Sequence, residues 1–258
     1  MQGMRCFVKP VFQQKFFILN NKCVEYIIYM KKVNFFVFCK KHLIFCISTI
    51  LLIALIFASN HIIKLSSPKA QYTVVIDAGH GGIDGGSVGI NSGTTEAELN
   101  LQYALTLQKY LSDFGFDVIM TRTSSGGLYN PFASNKKRDD MQKRKAIIEN
   151  ANADFVISIH MNSFKGDANG AQVFYGNNDA PSKLLASNIQ KYFIKYLHDA
   201  KSSPAIGDYY VLNAIKCPSV LVECGYLSNA QEETLLLSED YKKEVCYCIL
   251  LGILEYFV

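Results

Sequence analysis

Short apolar runs alternate with amphipathic stretches along the last three quarters of the chain. Apolar runs of this length predict strands, and apolar residues that recur on a helical period predict helices. The predicted strands are residues 72–77, 117–122, 154–160, 171–175, 209–212 and 220–224. The predicted helices are 96–113, 138–152, 182–199, a helix starting at Asn229 with a capping box to Glu232, and 241–257. Strands that alternate with helices in this way predict an α/β sheet covered by helices on both faces.

A longer apolar segment lies near the N-terminus. Residues 43–58 contain no charged residue, and together with residues 59–63 they reach the roughly 20 residues that cross a bilayer. Four lysines stand just before this segment: Lys31, Lys32, Lys40 and Lys41. Because basic flanks stay in the cytoplasm, we expect a single transmembrane anchor over residues 43–63, preceded by a cytoplasmic segment, residues 1–42. A linker, residues 64–71, would then lead to a domain on the extracytoplasmic side, residues 72–258.

A cleaved signal peptide is the alternative to this anchor. Signal cleavage needs small residues at positions −3 and −1, but cleavage after Ala58 would put Ile56 at −3. A retained anchor is therefore favoured. Residues 1–29 show no clear period, and Met30 followed by two lysines is typical of the start of an exported protein. We hypothesise that translation begins at Met30 rather than at Met1 or Met4.

Charge and cysteine content narrow the possible functions of the domain. Residues 1–65 contain nine of the 26 basic residues and one of the 22 acidic residues. Residues 66–258 therefore contain 17 basic and 21 acidic residues. A mildly acidic domain argues against a nucleic-acid-binding surface. The eight cysteines form no CxxC pair, so a cysteine-based zinc site is not expected.

Four polar residues stand at the ends of predicted elements. His80 follows the first strand in a glycine-rich loop, His160 ends the third strand, and Glu223 lies near the end of the last. Glu96 begins the first helix, directly after the same loop. Ligands of open α/β sheets bind at the carboxyl ends of the strands, so these side chains are expected to converge on one crevice.

Two histidines and a carboxylate with one open position form the ligand set of a catalytic zinc site. Zinc in such a site lowers the pKa of a bound water to roughly 7, and a second carboxylate can carry the proton. We therefore predict that His80, Glu96 and His160 bind Zn²⁺ and that Glu223 is the general base and acid. Glu98 is an alternative to Glu96, but it lies about 200° further round the helix and cannot share its direction.

The chain resembles a known family in four ordered motifs. These are VVIDAGHGGIDGG at 74–86, Glu96 with Leu101 five residues on, SIHMN at 158–162, and LVECGYLSN at 221–229. Together they resemble the zinc-dependent N-acetylmuramoyl-L-alanine amidases of bacterial cell walls. The resemblance implies that His80, Glu96 and His160 are the zinc ligands, which favours Glu96 over Glu98, and that Glu223 is catalytic. It also implies a mostly parallel six-stranded sheet.

The resemblance implies hydrolysis of the amide between N-acetylmuramic acid and the L-alanine of the peptidoglycan stem peptide. The layout of a short anchor, one catalytic domain and no wall-binding repeats is most similar to the sporulation amidases, which help to form muramic lactam in the spore cortex needed for germination. A housekeeping cell-wall amidase acting in cell separation is an alternative within the family. The sequence does not identify an activator protein.

Two other kinds of function remain open. A zinc peptidase or carboxypeptidase on stem peptides would need an arginine for a terminal carboxylate, and the domain offers only Arg122, Arg138 and Arg144. A non-enzymatic wall-binding module would be expected to have a broken ligand set, whereas all four positions are intact here.

Overall fold

The computed structural model describes Lys32, Lys40, and residues 42–45, 47–51, 72–176 and 180–257. The chain divides into two units, Met1–Ser67 and Pro68–Val258. In the first unit the described residues are helical. No helix among the described residues is both long and apolar enough to span a bilayer. Much of the predicted anchor, the predicted linker and the predicted start at Met30 lie outside the described residues.

The second unit contains a six-stranded sheet. Its strands are β1 (Thr73–Ala78), β2 (Asp117–Met120), β3 (Phe155–Asn162), β4 (Gln172–Tyr175), β5 (Ala205–Ile206) and β6 (Ser219–Tyr226). They lie in the order β2-β1-β3-β6-β4-β5. The pairing of β4 with β6 is antiparallel and the other pairings are parallel, so the sheet is mixed, with most pairings parallel.

The helices of this unit are α1 (Glu96–Asp113), α2 (Lys136–Asn150), α3 (Ala180–Tyr196), α4 (Tyr210–Asn213), α5 (Ala230–Leu236) and α6 (Glu239–Tyr256). Alternate residues of each strand point to opposite faces of the sheet. On β1, Val74 and Ile76 belong to a large buried cluster with α1, α3 and α6, whereas Val75 belongs to a smaller cluster with residues of α2 and α4. The prediction that helices cover both faces is confirmed.

The prediction of a strand at residues 209–212 is wrong. Tyr209 is the N-cap of the short helix α4 and residues 210–212 lie on that helix, while the sixth strand is instead β5. Tyr-Tyr-Val-Leu has high strand propensity, but such propensity yields to packing. Here Tyr209 packs edge-on against Phe174, and Val211 and Leu212 are buried in the smaller cluster.

Two helix starts show how side chains position the loops near the sheet edge. Thr95 caps α1 and forms a full capping box with Glu98. Asn229 caps α5 through the backbone N–H groups of Gln231 and Glu232. The carboxylate of Glu232, however, accepts hydrogen bonds from the backbone N–H groups of Gly170 and Tyr226. Glu232 therefore does not complete the predicted capping box with Asn229; it joins the end of β6 to the loop before β4 instead.

Candidate active site

His80 lies two residues beyond the end of β1, in a strained backbone conformation. Its φ of 59° is in the left-handed region, which costs energy for a residue with a side chain. The preceding Gly79 lets the chain pass very close to β3, because a Cβ there would lie 2.3 Å from the imidazole of His160. The glycine-rich loop thus brings the two histidines together, with ring centroids 5.1 Å apart.

Two buried arginines hold the backbone that leads into His80. Arg122 donates from Nε to the carbonyl of Ala78 and from Nη2 to the carbonyl of Gly79, at 2.9 and 2.8 Å. Arg144 donates from Nη1 to the carbonyl of Ala78 at 2.7 Å and from Nη2 to the carbonyl of His80. These bonds stabilise the left-handed turn at His80, and they direct both guanidinium groups to backbone carbonyls within the fold.

Glu96 is the first residue of α1, and its carboxylate lies between the two imidazoles. Its Oε1 is 3.1 Å from Nε2 of His80 and 2.9 Å from Nδ1 of His160. Its Oε2 accepts a hydrogen bond of 2.9 Å from the backbone N–H of Ser87. Burial opposes ionisation of Glu96, but the histidines outweigh it and hold the pKa of this carboxyl well below its usual range. The site therefore presents a fixed negative charge between two imidazoles.

These three side chains fit a zinc ion by their chemistry and by their convergence. One ligand atom from each of His80, Glu96 and His160 lies within 4.8 Å of the other two. Two imidazole nitrogens and one carboxylate oxygen are the donors of catalytic zinc sites, which leave a further position for water or substrate. The structure therefore brings together the three side chains that the sequence predicts to converge.

His80 has a second carboxylate neighbour. Its Nδ1 lies 3.0 Å from Oδ1 of Asp84, and Oδ2 of Asp84 lies 3.5 Å from Nζ of Lys137. Burial lowers the pKa of His80, but Glu96 and Asp84 together outweigh this and raise it. A histidine that binds a metal through one nitrogen commonly has its other nitrogen beside a carboxylate. Asp84 has that position here.

Glu223 stands next to His160 on the neighbouring strand. The two residues are paired in register between β3 and β6, so their side chains share one face of the sheet. Glu223 is only 7% exposed, and its Oε2 atom is buried without a hydrogen-bond partner among the described residues. Burial raises the pKa of Glu223 to about 7, with the charge of Glu96 adding to the rise and the histidines opposing it. A carboxyl group with this pKa can both accept and release a proton near neutral pH.

The histidines open into a cleft of about 360 Å³. Its floor includes Asp77 and Leu221 from the sheet, and its walls come from the glycine-rich loop, α2 and the start of α4. Tyr129, Met141, Tyr209 and Tyr210 also line it. The cleft lies on the face of the smaller hydrophobic cluster, at the carboxyl ends of β1 and β3, where the sequence predicts it.

Glu98, the alternative to Glu96, is exposed and has a different role. Its Oε2 accepts a hydrogen bond of 3.1 Å from the backbone N–H of Thr95. Glu98 is thus the N3 residue of the capping box that fixes the first turn of α1. The Thr-x-x-Glu spacing was the signal in the sequence that could have separated the two glutamates.

Several buried groups that support the site were not found from the sequence. Asp77 is 2% exposed and accepts hydrogen bonds from Thr121, Arg144 and Ser158. Asn100 donates to Oε1 of Glu96 at 3.3 Å and to the carbonyl of Gly79 at 3.1 Å. Of these two residues, only Asp77 could have been noticed in the sequence, because it is a charged residue inside an otherwise apolar strand.

Comparison with known proteins agrees with this geometry. Residues 74–255 match the family model Amidase_3, described as N-acetylmuramoyl-L-alanine amidase. The chain belongs to the N-acetylmuramoyl-L-alanine amidase family. The amidase is 34% identical over 197 residues to the germination-specific N-acetylmuramoyl-L-alanine amidase of Bacillus subtilis (strain 168), covering 74% of this chain and 82% of that relative.

Solved structures give the same result. This chain superposes on the CwlD amidase from Clostridioides difficile, which was solved in complex with the GerS lipoprotein. The TM-score is 0.69 and the sequence identity is 35%, over 72% of this chain and 98% of that one. It superposes on the catalytic domain of CwlV, an N-acetylmuramoyl-L-alanine amidase from Bacillus (Paenibacillus) polymyxa var. colistinus, with a TM-score of 0.65 and 34% identity, over 72% and 98% of the two chains.

Proposed function

We propose that this family member is a zinc-dependent hydrolase that cleaves the amide between N-acetylmuramic acid and L-alanine in peptidoglycan. The observation that carries the proposal is the meeting of His80, Glu96 and His160 within 4.8 Å, beside the buried Glu223. Zinc held by the three ligands would supply Lewis acidity for the amide carbonyl and a more acidic water molecule.

Glu223 is proposed to move the proton. Its carboxylate accepts a proton from the attacking water as the new C–O bond forms. It then delivers that proton to the nitrogen of L-alanine as the C–N bond breaks, so the products are a free carboxyl group on the sugar and a free amine on the peptide. The pKa of about 7 supports both roles, because the group is neither a strong acid nor permanently protonated.

The zinc peptidase alternative is less well supported. Arg122 and Arg144 are 4% and 2% exposed, and both are occupied by backbone carbonyls, so neither can bind a terminal carboxylate. Arg138 is exposed, but it does not line the cleft that contains the histidines.

We also propose a spore-related role and a membrane location. The spore role is supported by the germination-specific relative and by the similarity to CwlD. The structure of CwlD with a lipoprotein supports a comparable partner for this chain. The membrane anchor at residues 43–63, with the catalytic domain outside the cytoplasm, is supported by exposed apolar side chains on the described helical residues there: Leu43, Ile44, Phe45, Ile50 and Leu51.

The reaction is tested with a purified muropeptide of known sequence. The protein with zinc should release the intact stem peptide with a new amine on L-alanine and leave the disaccharide whole, as measured by product mass. Release of D-alanine would favour the peptidase, and retained binding without any product would favour a wall-binding module.

A further inference from the structure

The catalytic cleft continues into a second groove. This groove, of about 440 Å³, is lined by Asn135, Lys137, Arg138, Met141, Gln142 and Tyr210. Lys137, Met141 and Tyr210 also line the cleft with the histidines. The two depressions therefore share a wall, and a substrate seated at the histidines can extend over the first turn of α2 without leaving the surface.

The groove carries basic side chains where the helix itself disfavours them. Lys136, Lys137 and Arg138 are the first three residues of α2, and the dipole of a helix favours acidic residues in this turn. The next residue, Asp139, pairs with Lys143 at 2.9 Å and accepts a hydrogen bond from the backbone of Asn130. Asp139 does not line the groove. Basic residues in this turn are not explained by stabilisation of α2, so a role in binding is a reasonable interpretation of them.

Arg138 is the basic residue best placed to meet a ligand. Within the part of the chain that the structure describes, its guanidinium has no ion pair, hydrogen bond or ring contact, whereas Lys137 lies 3.5 Å from Asp84 and Lys136 lies over the ring of Tyr129. An unpaired guanidinium in a groove is suited to a planar carboxylate, which it can bind through two parallel hydrogen bonds.

We propose that this second groove binds the peptide stem of the substrate, with Arg138 contacting a carboxylate of the peptide and Lys137 adding positive charge. The inference rests on the proposed amidase function. The peptide side of the scissile amide carries carboxylates, whereas the glycan side has lost its nearest carboxyl group to the amide itself. Charge complementarity therefore places the peptide, and not the glycan, over α2. Because Arg138 lies outside the cleft, the carboxylate lies some distance from the bond that breaks.

The test compares two muropeptides that differ only in whether the peptide carboxylates are free or amidated. The wild-type protein should have a higher kcat/KM for the free form, mainly through KM. Arg138→Gln should reduce this preference about fivefold, Arg138→Glu should reverse it, and Arg138→Lys should retain part of it. Lys183→Gln is the matched control, since Lys183 is an exposed basic residue on α3 that lines neither depression, and it should keep the wild-type preference.

Equal kcat/KM for the two muropeptides, or an unchanged preference in Arg138→Gln and Arg138→Glu, would overturn the proposal for the groove while leaving the amidase function intact. Failure of the wild-type protein to cleave either muropeptide would instead overturn the proposed function. A dependence of kcat/KM on glycan length that is reduced by Arg138→Gln would assign the groove to the glycan and contradict the inference. Thermal melting of each variant separates these results from a loss of folding.

Discussion

Nη1 of Arg144 lies 2.6 Å from Oδ1 of Asp77, and both side chains are almost completely buried. Burial opposes ionisation of Asp77, but Arg144 and the hydroxyl of Ser158 outweigh it and lower the pKa of this carboxyl. The same guanidinium also donates to the carbonyls of Ala78 and His80. Arg144, which is also paired through Nε with Asp140 at 2.6 Å, therefore connects the sheet to the loop that presents the first predicted zinc ligand.

We expect Arg144→Met to destabilise the domain by about 3–5 kcal/mol, because it leaves Asp77 as an uncompensated buried charge. Arg144→Lys should restore only part of this, since lysine lacks the planar fork that reaches two carbonyls. Urea denaturation measures the free energy of unfolding. The double variant Asp77→Asn/Arg144→Met should be less destabilised than the sum of the single variants. Strict additivity would show that the two side chains do not act as a pair.

We expect Gly79→Ala to weaken zinc binding, because the added Cβ would lie 2.3 Å from the imidazole of His160. Either the glycine-rich loop or His160 must move, and both positions contribute to the site. Gly126→Ala is the control, since a Cβ there meets nothing closer than Oγ of Ser124 at 3.8 Å. Zinc affinity measured by competition with a chelating dye should fall in the first variant only. Equal affinity in both variants would contradict the close approach.

We expect Glu223→Gln to keep the zinc ion and to lose turnover by roughly 10²–10⁴-fold, which is the usual contribution of a general acid–base group. The amide of glutamine preserves the size of the side chain but cannot exchange the proton. Metal content and kcat on a defined muropeptide are measured on the same preparation. Retention of full kcat would remove Glu223 from the mechanism.

We expect burial of Glu223 to make the metal-free protein less stable as the pH rises. The folded-state pKa of about 7 lies above the ordinary value of 4.5, so the folded state holds the proton more tightly than the unfolded state does. Stability relative to Glu223→Gln should therefore fall from about pH 4.5 to about pH 7 and then level off. The difference between the two pKa values corresponds to roughly 3 kcal/mol in the free energy of unfolding. Denaturation in the presence of a chelator measures it, and an identical pH dependence in the two proteins would contradict the raised pKa.

Much of the fold could be predicted because its elements have a clear period. The predicted start of α1 at Glu96 matches the structure, and strands β1, β3 and β6 were predicted within two residues at each end. The strand predicted at 209–212 is wrong because the strand propensity of these residues is overridden by packing, here against Phe174 and within the smaller cluster. The two-residue strand β5 is too short to leave any pattern.

The convergence of the four site residues could be predicted because strand ends meet at one edge of an α/β sheet. The buried groups that support these four residues could not be predicted from the sequence. The sequence presents Arg122 and Arg144 as possible substrate ligands. Nothing in a linear sequence shows that their guanidinium groups donate to carbonyls more than 40 residues away along the chain. The contact of Asp84 with His80 likewise depends on the left-handed turn at His80, which spacing does not encode.

The zinc content of a matched pair of variants tests the central claim most directly. Glu96 and Glu98 lie two residues apart on α1, but only the carboxylate of Glu96 lies beside the histidines. Metal analysis of the purified proteins should give about one zinc per chain for the wild type and for Glu98→Gln, and almost none for Glu96→Gln. One zinc per chain in Glu96→Gln, or its loss in Glu98→Gln alone, would contradict the metal site at His80, Glu96 and His160.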